Sequence, residues 1–278
     1  MRITWNLRGT LRQWDGPMVM GILNATPDSF HAGSRFGADA VVDQAGRMLE
    51  EGAAMLDVGG MSTRPGSAEV SPTEEMDRLL PILQAIHSAF PDATLSVDSY
   101  RAEVVRQAVQ AGASVVNDIS AGALDPDMLA TVAALKVPYI MMHMKGTPAT
   151  MQRAPHYEDV RREVLGHLSS RMQAARSAGI ADVAIDPGFG FGKDLHHNYA
   201  LLAGLTRFTV LDAPVLVGVS RKRMICGPLG ITAEDALNGS TVLHTIALMK
   251  GASILRVHDV RPAVEAVELV RQLSLASS

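Results

Sequence analysis

The chain has 278 residues, of which 47% are hydrophobic and 19% are charged, and its formal net charge at pH 7 is −4. This composition is ordinary for a soluble globular protein, and the length suits either one large α/β domain or two small domains. The slightly acidic balance gives no reason to expect nucleic acid or another polyanion as a partner. Any anionic ligand must therefore be bound by a local group of cations.

Two further features narrow the class of protein. The N-terminal segment lacks a long apolar stretch and no run of about 18 apolar residues occurs, so we expect neither a signal peptide nor a membrane span. Cys226 is the only cysteine, which excludes an intramolecular disulfide framework and a cysteine-cluster metal site. Together these features predict a cytoplasmic protein.

Eight short apolar segments recur along the chain, and each becomes polar at its C-terminal end. They are MVMGILN (18–24), AAMLDVGG (53–60), TLSVDS (94–99), SVVNDIS (114–120), YIMMHM (139–144), DVAIDPG (182–188), PVLVGVSRK (214–222) and ILRVHDV (254–260). Amphipathic segments of helical period lie between them, and the pairs Gly52-Ala53, Gly112-Ala113 and Gly251-Ala252 are typical of helix ends that precede a strand.

This alternation of strands and helices predicts one α/β domain over residues 1–278, a (β/α)8 TIM barrel. An open, doubly wound sheet is the structural alternative, because the number of strands alone does not exclude it. In a barrel the active site lies at the C-terminal ends of the strands, so polar residues from distant parts of the sequence converge there.

The expected lining contains two carboxylates, Asp98 and Asp186, and one amide, Asn117, with Lys222 nearby. Carboxylate and amide oxygens accept hydrogen bonds, so this group suits the donor-rich edge of a flat heterocycle. Met142 lies near a strand end, where a polarizable side chain could contact a planar ring.

The last predicted strand carries Arg256 and His258, which lie two residues apart and therefore point to the same face. Two potential cations side by side in a buried strand suit a phosphate or a diphosphate. Asn24, at the end of the first strand, offers an oxygen ligand that Mg²⁺ accepts together with phosphate oxygens of a substrate.

One apparent phosphate-binding motif does not meet its definition. The segment GFGFGK (188–193) resembles a Walker A loop, but that motif requires a glycine six residues before the lysine, and Pro187 occupies this position. We therefore do not expect a nucleotide phosphate at Lys193.

Several of these motifs together resemble those of one known family, and the similarity runs from about residue 18 to residue 262. The family is that of the dihydropteroate synthases, which are pterin-binding TIM-barrel enzymes. The motifs are MGILNATPDSF, DVGGMSTRPG, SVDSYRAEV, VVNDIS, IDPGFGFGK, VGVSRKRMI and ILRVHDV, in this order.

The resemblance implies a transferase of folate synthesis that joins p-aminobenzoate to a 7,8-dihydropterin diphosphate, releasing diphosphate with the help of Mg²⁺. The bond between the pterin methylene and the diphosphate would break early, and the arylamine would capture the resulting cation. Sulfonamides would be inhibitors at the p-aminobenzoate site. The resemblance also implies a homodimer formed through helices late in the barrel. It implies neither nucleic acid nor a membrane as a partner.

The resemblance also implies roles for single residues. Asp98, Asn117, Asp186, Lys222 and Met142 would bind the pterin. Asn24, Arg256 and His258 would bind the diphosphate, with Asn24 as metal ligand and Lys222 completing the catalytic set. The p-aminobenzoate pocket would be formed by Thr63, Arg64, Pro65, Phe191 and Ser220.

Two positions depart from the family pattern. Ala32 stands where the family usually has an aspartate, with His31 as its possible substitute, and Met61 stands where it usually has a glutamate. These departures keep open the alternative of a non-catalytic pterin-binding relative. A pterin-binding methyltransferase is the other alternative, although it would need neither the SRK motif nor the Arg256–His258 pair.

Overall fold

The computed structural model describes residues 2–24, 35–61, 70–152 and 155–276. Within these ranges the chain forms ten strands and nine α-helices. The strands are β1 (Arg2–Leu7), β2 (Thr10–Asp15), β3 (Met18–Asn24), β4 (Met55–Gly59), β5 (Leu95–Asp98), β6 (Val115–Asp118), β7 (Tyr139–Met142), β8 (Val183–Asp186), β9 (Leu216–Val217) and β10 (Ile254–Val257). The helices are α1 (Arg35–Glu50), α2 (Pro72–Ala89), α3 (Ala102–Gln110), α4 (Met128–Leu135), α5 (Val160–Ser177), α6 (Leu195–Ala203), α7 (Arg223–Leu229), α8 (Leu237–Met249) and α9 (Val260–Ala276).

Strands β3 to β10 form one parallel sheet in the order β8-β7-β6-β5-β4-β3-β10-β9. A parallel bridge between Ile185 and Val215 joins the two ends of this order, so the sheet closes into a barrel. All eight predicted strands are present, and the predicted α/β barrel is confirmed. The doubly wound alternative is wrong, because an open sheet leaves its edge strands unpaired.

The three predicted glycine helix ends are also confirmed. Gly52, Gly112 and Gly251 have φ values of 100°, 124° and 96°, which place them in the left-handed region. At each one the following alanine donates its backbone N–H to a carbonyl five residues earlier, as in Ala113 to Ala108 at 3.0 Å. This bond satisfies a carbonyl at the end of the helix and directs the chain into the next strand.

A short antiparallel hairpin, β1–β2, precedes the barrel and was not predicted. Its inward residues Ile3 and Trp5 are each 2% exposed, and they pack against the apolar residues at the lower end of the barrel interior. The backbone N–H of Asn6 donates to Asp182 Oδ2 at 2.7 Å, just before β8 begins. The hairpin therefore covers the N-terminal end of the barrel and leaves the C-terminal end for the site.

Most of the hydrophobic core lies between the barrel and the surrounding helices, and a second cluster fills the lower barrel. Among the described residues, no helix is long and apolar enough to cross a membrane.

Candidate active site

The barrel interior changes from apolar to polar along its axis because side chains on a strand alternate with a period of two. The inward residues of the lower cluster include Met55, Val115, Ile140, Ala184 and Ile254. Two residues further along these same strands, the inward positions are Asp57, Asn117, Met142, Asp186 and Arg256. The sequence of each strand thus places one polar or sulfur-containing side chain directly above an apolar one.

Arg256 lies between two carboxylates from neighbouring strands. Its Nε donates to Asp57 Oδ2 at 2.6 Å, and its Nη2 donates to Asp98 Oδ2 at 2.6 Å. The same oxygen of Asp57 also accepts a hydrogen bond from Asn117 Nδ2 at 2.9 Å. We call the group formed by Asp57, Asp98, Asn117, Asp186, Lys222 and Arg256 the pocket floor.

Asp57 is fully buried, and its other oxygen, Oδ1, has no hydrogen-bond partner among the described residues. A buried carboxylate is costly unless it is paired. Arg256 supplies this pairing, and Asn117 adds a second donor. Asp57 in turn orients both partners, since each uses a nitrogen to reach it.

The charges of the pocket floor shift one another's pKa. Burial raises the pKa of Asp98, and Arg256 acts in the opposite direction. Burial acts to lower the pKa of Arg256, but Asp57 and Asp98 raise it above its usual range. The guanidinium therefore stays charged, and it provides the positive charge that lets two carboxylates lie close together.

Asp186 and Lys222 form the other half of the floor. Asp186 Oδ1 accepts the backbone N–H of Gly188 at 2.7 Å, and burial raises its pKa while Lys222 opposes this. Lys222 Nζ donates to the carbonyl of Phe189 and lies 4.9 Å from the ring centroid of Phe191. Burial lowers the pKa of Lys222 to about 8, and Asp186 acts against this shift.

Ser220 and His258 meet at the ends of β9 and β10. Ser220 Oγ lies 3.1 Å from His258 Nδ1, and it also accepts the backbone N–H of His258 at 3.3 Å. The neighbouring Arg221, which has a positive φ of 56°, binds Asp259 with two hydrogen bonds of 2.9 and 2.6 Å. These contacts join the loops that follow the two strands and fix the position of the imidazole.

The structure brings together most of the residues that the sequence singled out. Asp98, Asn117, Asp186, Lys222 and Arg256 meet in the pocket floor. Ser220 contacts His258, Phe191 lies beside Lys222, and Asn24 and Met142 lie at the C-terminal ends of β3 and β7. Thr63, Arg64 and Pro65, and the family departure at Ala32 with its neighbour His31, lie outside the described residues.

One member of the floor, Asp57, was not assigned a role from the sequence. The signal was present, because Asp57 interrupts the apolar strand β4 as Arg256 interrupts β10. Two opposite charges in two buried strands predict a pair. Strand order was needed to see that they could meet, since β3 alone separates β4 from β10.

Comparison with known proteins gives a consistent result. The model of the family described as pterin binding enzyme matches residues 20–258. The dihydropteroate synthase of Escherichia coli strain K12 is 45% identical over 267 residues, which covers 95% of this chain and 94% of that protein.

Solved structures show the same similarity. That of Xanthomonas albilineans dihydropteroate synthase with 4-aminobenzoic acid has a TM-score of 0.91 at 42% identity and covers 99% of both chains. The Yersinia pestis enzyme in complex with a sulfonamide drug has a TM-score of 0.91 at 41% identity, covering 98% of this chain and 99% of that one.

Proposed function

The chain belongs to the pterin-binding enzymes, among the dihydropteroate synthases, and from this we propose how its residues perform the reaction of that group. The reaction joins the amine of p-aminobenzoate to the methylene carbon of (7,8-dihydropterin-6-yl)methyl diphosphate. A carbon–nitrogen bond forms, the carbon–oxygen bond to diphosphate breaks, and the amine loses a proton. The observation that carries the assignment of roles is the pocket floor, in which Arg256 bridges Asp57 and Asp98.

The pocket floor supports pterin binding through its acceptors. Asn117 uses its Nδ2 on Asp57, so its Oδ1 is left to accept a ring N–H. Asp98 and Asp186 provide carboxylate oxygens for the amino-pyrimidine edge, and Lys222 provides a donor for the ring carbonyl and ring nitrogen side. Met142, which is 3% exposed at the end of β7, would contact the ring.

The diphosphate would be bound by Arg256, His258 and Asn24. Bond breaking moves negative charge onto the departing oxygens, so donors placed there stabilise the transition state more than the ground state. Arg256 already uses Nε and one N–H of Nη2 on carboxylates, which leaves Nη1 and the second N–H of Nη2 as donors toward the diphosphate. Ser220 contacts the His258 imidazole at Nδ1 and would thereby help to orient the ring at the diphosphate.

The described residues fit a Mg²⁺ ion that is held mainly by the substrate. No group of three or more histidine, cysteine, aspartate or glutamate side chains in the described ranges could hold a metal ion. Asn24 offers one amide oxygen, and Mg²⁺ commonly combines one or two protein oxygens with phosphate oxygens and water. When bound, the ion would neutralise charge on the leaving diphosphate.

The p-aminobenzoate site would be formed by Thr63, Arg64, Pro65, Phe191 and Ser220. Phe191 lies beside Lys222, which would place the arylamine next to the bound pterin. We propose that sulfonamides bind here too, as arylamine analogues that compete with p-aminobenzoate.

A homodimer and a cytoplasmic location belong to the same proposal. Helices α8 and α9 pack together and expose a set of apolar side chains: Val242, Met249, Leu269 and Leu273. A second copy of the chain would cover this face, because exposed apolar patches of this kind mark interaction sites. Light scattering should give twice the monomer mass, and Leu269→Lys should give the monomer. The single cysteine suits a reducing compartment.

The activity is tested by diphosphate release from the purified protein with dihydropterin diphosphate and Mg²⁺, with and without p-aminobenzoate. We expect release that depends on p-aminobenzoate and that stops when EDTA removes the metal. In Arg256→Ala, loss of a donor to the leaving group should lower kcat by about 100- to 1,000-fold.

Arg2→Met is the matched control, because it removes an arginine–aspartate pair with a distance of 2.9 Å at the opposite end of the barrel. It should keep wild-type activity. Tight pterin binding without release would contradict the synthase assignment and support the non-catalytic alternative. Full activity in EDTA would contradict the role of the metal alone.

A further inference from the structure

Lys193, the last residue of the GFGFGK segment, is buried in a cage of acceptors at the edge of the site. The residue is 3% exposed. Its Nζ lies 2.8 Å from the carbonyl oxygen of Gly188, 2.9 Å from that of Phe191, and 3.0 and 3.3 Å from Nδ1 and the carbonyl oxygen of His143. An ammonium group has three donors and no acceptor capacity, so this cage suits its charged form.

Such burial is not incidental. Removing an ammonium group from water costs several kcal/mol unless its donors are satisfied. Burial accordingly lowers the pKa of Lys193, while Asp186 acts to raise it. His143 remains neutral, because burial and the nearby Lys193 lower its pKa to about 2, and a neutral ring can accept at Nδ1.

The segment that Lys193 holds needs external support. Gly188, Gly190 and Gly192 have φ values of 71°, 85° and 61°. A Cβ atom on Gly188 would lie 1.9 Å from the carbonyl oxygen of His143, and one on Gly192 would lie 2.5 Å from that of Lys145. The loop therefore lies directly against the segment after β7, and only glycine leaves room for this close approach. Ordering three glycines on folding loses more conformational entropy than ordering other residues would. Cross-links must offset that cost.

The same loop supplies or supports three elements of the site. The backbone N–H of Gly188 donates to Asp186 Oδ1 at 2.7 Å. The carbonyl of Phe189 accepts from Lys222, and the ring of Phe191 lies 4.9 Å from Lys222 Nζ. A displacement of this loop would thus reach the active site directly.

We propose that Lys193 is a positioning residue, which ties the loop after β8 to the end of β7 and thereby sets the p-aminobenzoate side of the active site at Phe191. The inference rests on the proposed assignment of Phe191 to p-aminobenzoate. Lys193 holds Phe191 through two contacts. The ammonium group donates directly to the carbonyl of Phe191. It also donates to the carbonyl of Gly188, which accepts the backbone N–H of Phe191 at 3.1 Å. Asp186 and Lys222 have separate anchors, in β8 and at the start of α7.

The test is Lys193→Met, which keeps the length of the side chain and removes the ammonium group. We expect the affinity for p-aminobenzoate to fall about 10- to 100-fold, because small displacements of a positioning group have effects of this size. The affinity for p-aminobenzoate is measured as KM in the diphosphate-release assay. It is also measured as Kd by calorimetry, on protein saturated with a pterin and with diphosphate. Pterin affinity should change by less than about threefold, since Asp186 and Lys222 have their own anchors in β8 and at the start of α7.

Tyr157→Phe is the matched control. The Tyr157 hydroxyl donates to the carbonyl of Gly192 in the same loop at 2.9 Å, and it carries no charge. This variant should keep both the p-aminobenzoate affinity and the pterin affinity.

A chemical rescue adds a second comparison. Lys193→Cys is made in a Cys226→Ala background, alkylated with 2-bromoethylamine in denaturant and refolded. This treatment restores an ammonium group on a side chain of nearly the original length. Its p-aminobenzoate affinity should return most of the way to the wild-type value.

Unchanged p-aminobenzoate affinity in Lys193→Met would overturn the inference. So would equal losses for both substrates accompanied by a lower unfolding midpoint, because that pattern indicates a role in folding alone. The calorimetric measurements need no turnover, so they remain decisive even if diphosphate release failed. That failure would instead count against the proposed function.

Discussion

The bridge from Arg256 to Asp57 and Asp98 predicts strongly coupled effects on stability. Arg256→Met removes the cation that pairs with two carboxylates, Asp57 and Asp98, whose side chains are 0% and 14% exposed. Leaving such charges without their partner should cost about 3 to 5 kcal/mol of unfolding free energy. Asp57→Asn makes the acceptor of two hydrogen bonds neutral instead of charged. At roughly 1 kcal/mol for each bond, this should lower the unfolding free energy by about 2 kcal/mol.

The double variant distinguishes a bridge from two independent sites. Without Arg256, the charge of Asp57 keeps its hydrogen bond from Asn117 but repels Asp98, so removal of this charge should be less harmful than in the wild-type protein. We expect the double variant to be more stable than the sum of the single losses predicts, by about 1 to 3 kcal/mol. The measurement is urea unfolding at pH 7, followed by both fluorescence and circular dichroism, because coincident transitions are needed for a defined free energy.

Additive losses would refute this reasoning, as would an Arg256→Met loss below about 1 kcal/mol, a value typical of exposed pairs. Either result would mean that solvent, rather than the two carboxylates, surrounds the guanidinium. Arg2→Met serves again as the control, because the Arg2–Asp15 pair is 68% exposed on both sides. It should unfold with the wild-type midpoint.

Three further predictions follow from single contacts. Because burial lowers the pKa of Lys222 to about 8, kcat/KM should fall as pH rises through about 8 and the ammonium deprotonates; Lys222→Arg, which stays protonated, should lack this limb in its pH profile. Tyr139→Phe removes a 2.6 Å hydrogen bond to the buried Asp118, so it should lower the unfolding free energy by about 2 kcal/mol and leave activity unchanged. Gly188→Ala would place a Cβ atom 1.9 Å from the carbonyl oxygen of His143; it should destabilise the protein by about 2 kcal/mol or more and lower activity, and wild-type values in calorimetry and turnover would contradict the loop geometry.

The barrel could be predicted from the sequence because each of its units carries the same local signals. Apolar runs that end in polar residues, and glycines such as Gly112 that end helices, are properties of short segments and need no knowledge of distant contacts. The hairpin β1–β2 was missed because its signal is brief. Only Ile3 and Trp5 alternate inward before the turn at Arg8 and Gly9, which have φ values of 53° and 94°. That turn was the available clue.

The site was predictable as a set of positions and not as a set of contacts. Residues such as Asn117 stand at strand ends, and the barrel fold alone brings strand ends together. The partners of Arg256, however, lie 199 and 158 residues away in the sequence. Only the strand order decides which of several carboxylates it meets. Lys193 was considered as part of a rejected phosphate loop and of the family motif IDPGFGFGK, and it was assigned no role, because the carbonyls that surround it have no signature in the sequence.

The charge balance of the pocket floor bears on how an anionic substrate would be bound. The floor contains three carboxylates, Asp57, Asp98 and Asp186, and two cations, Lys222 and Arg256, and burial raises the pKa of Asp98 and of Asp186. Those carboxylates that are ionised would favour the positive charge that the proposed mechanism places on the pterin methylene as its bond to oxygen breaks. The same carboxylates would oppose the binding of an anionic substrate. If the proposed diphosphate site is right, Arg256 alone would not overcome this repulsion, so we expect activity to depend on His258 and on Mg²⁺ as well as on Arg256.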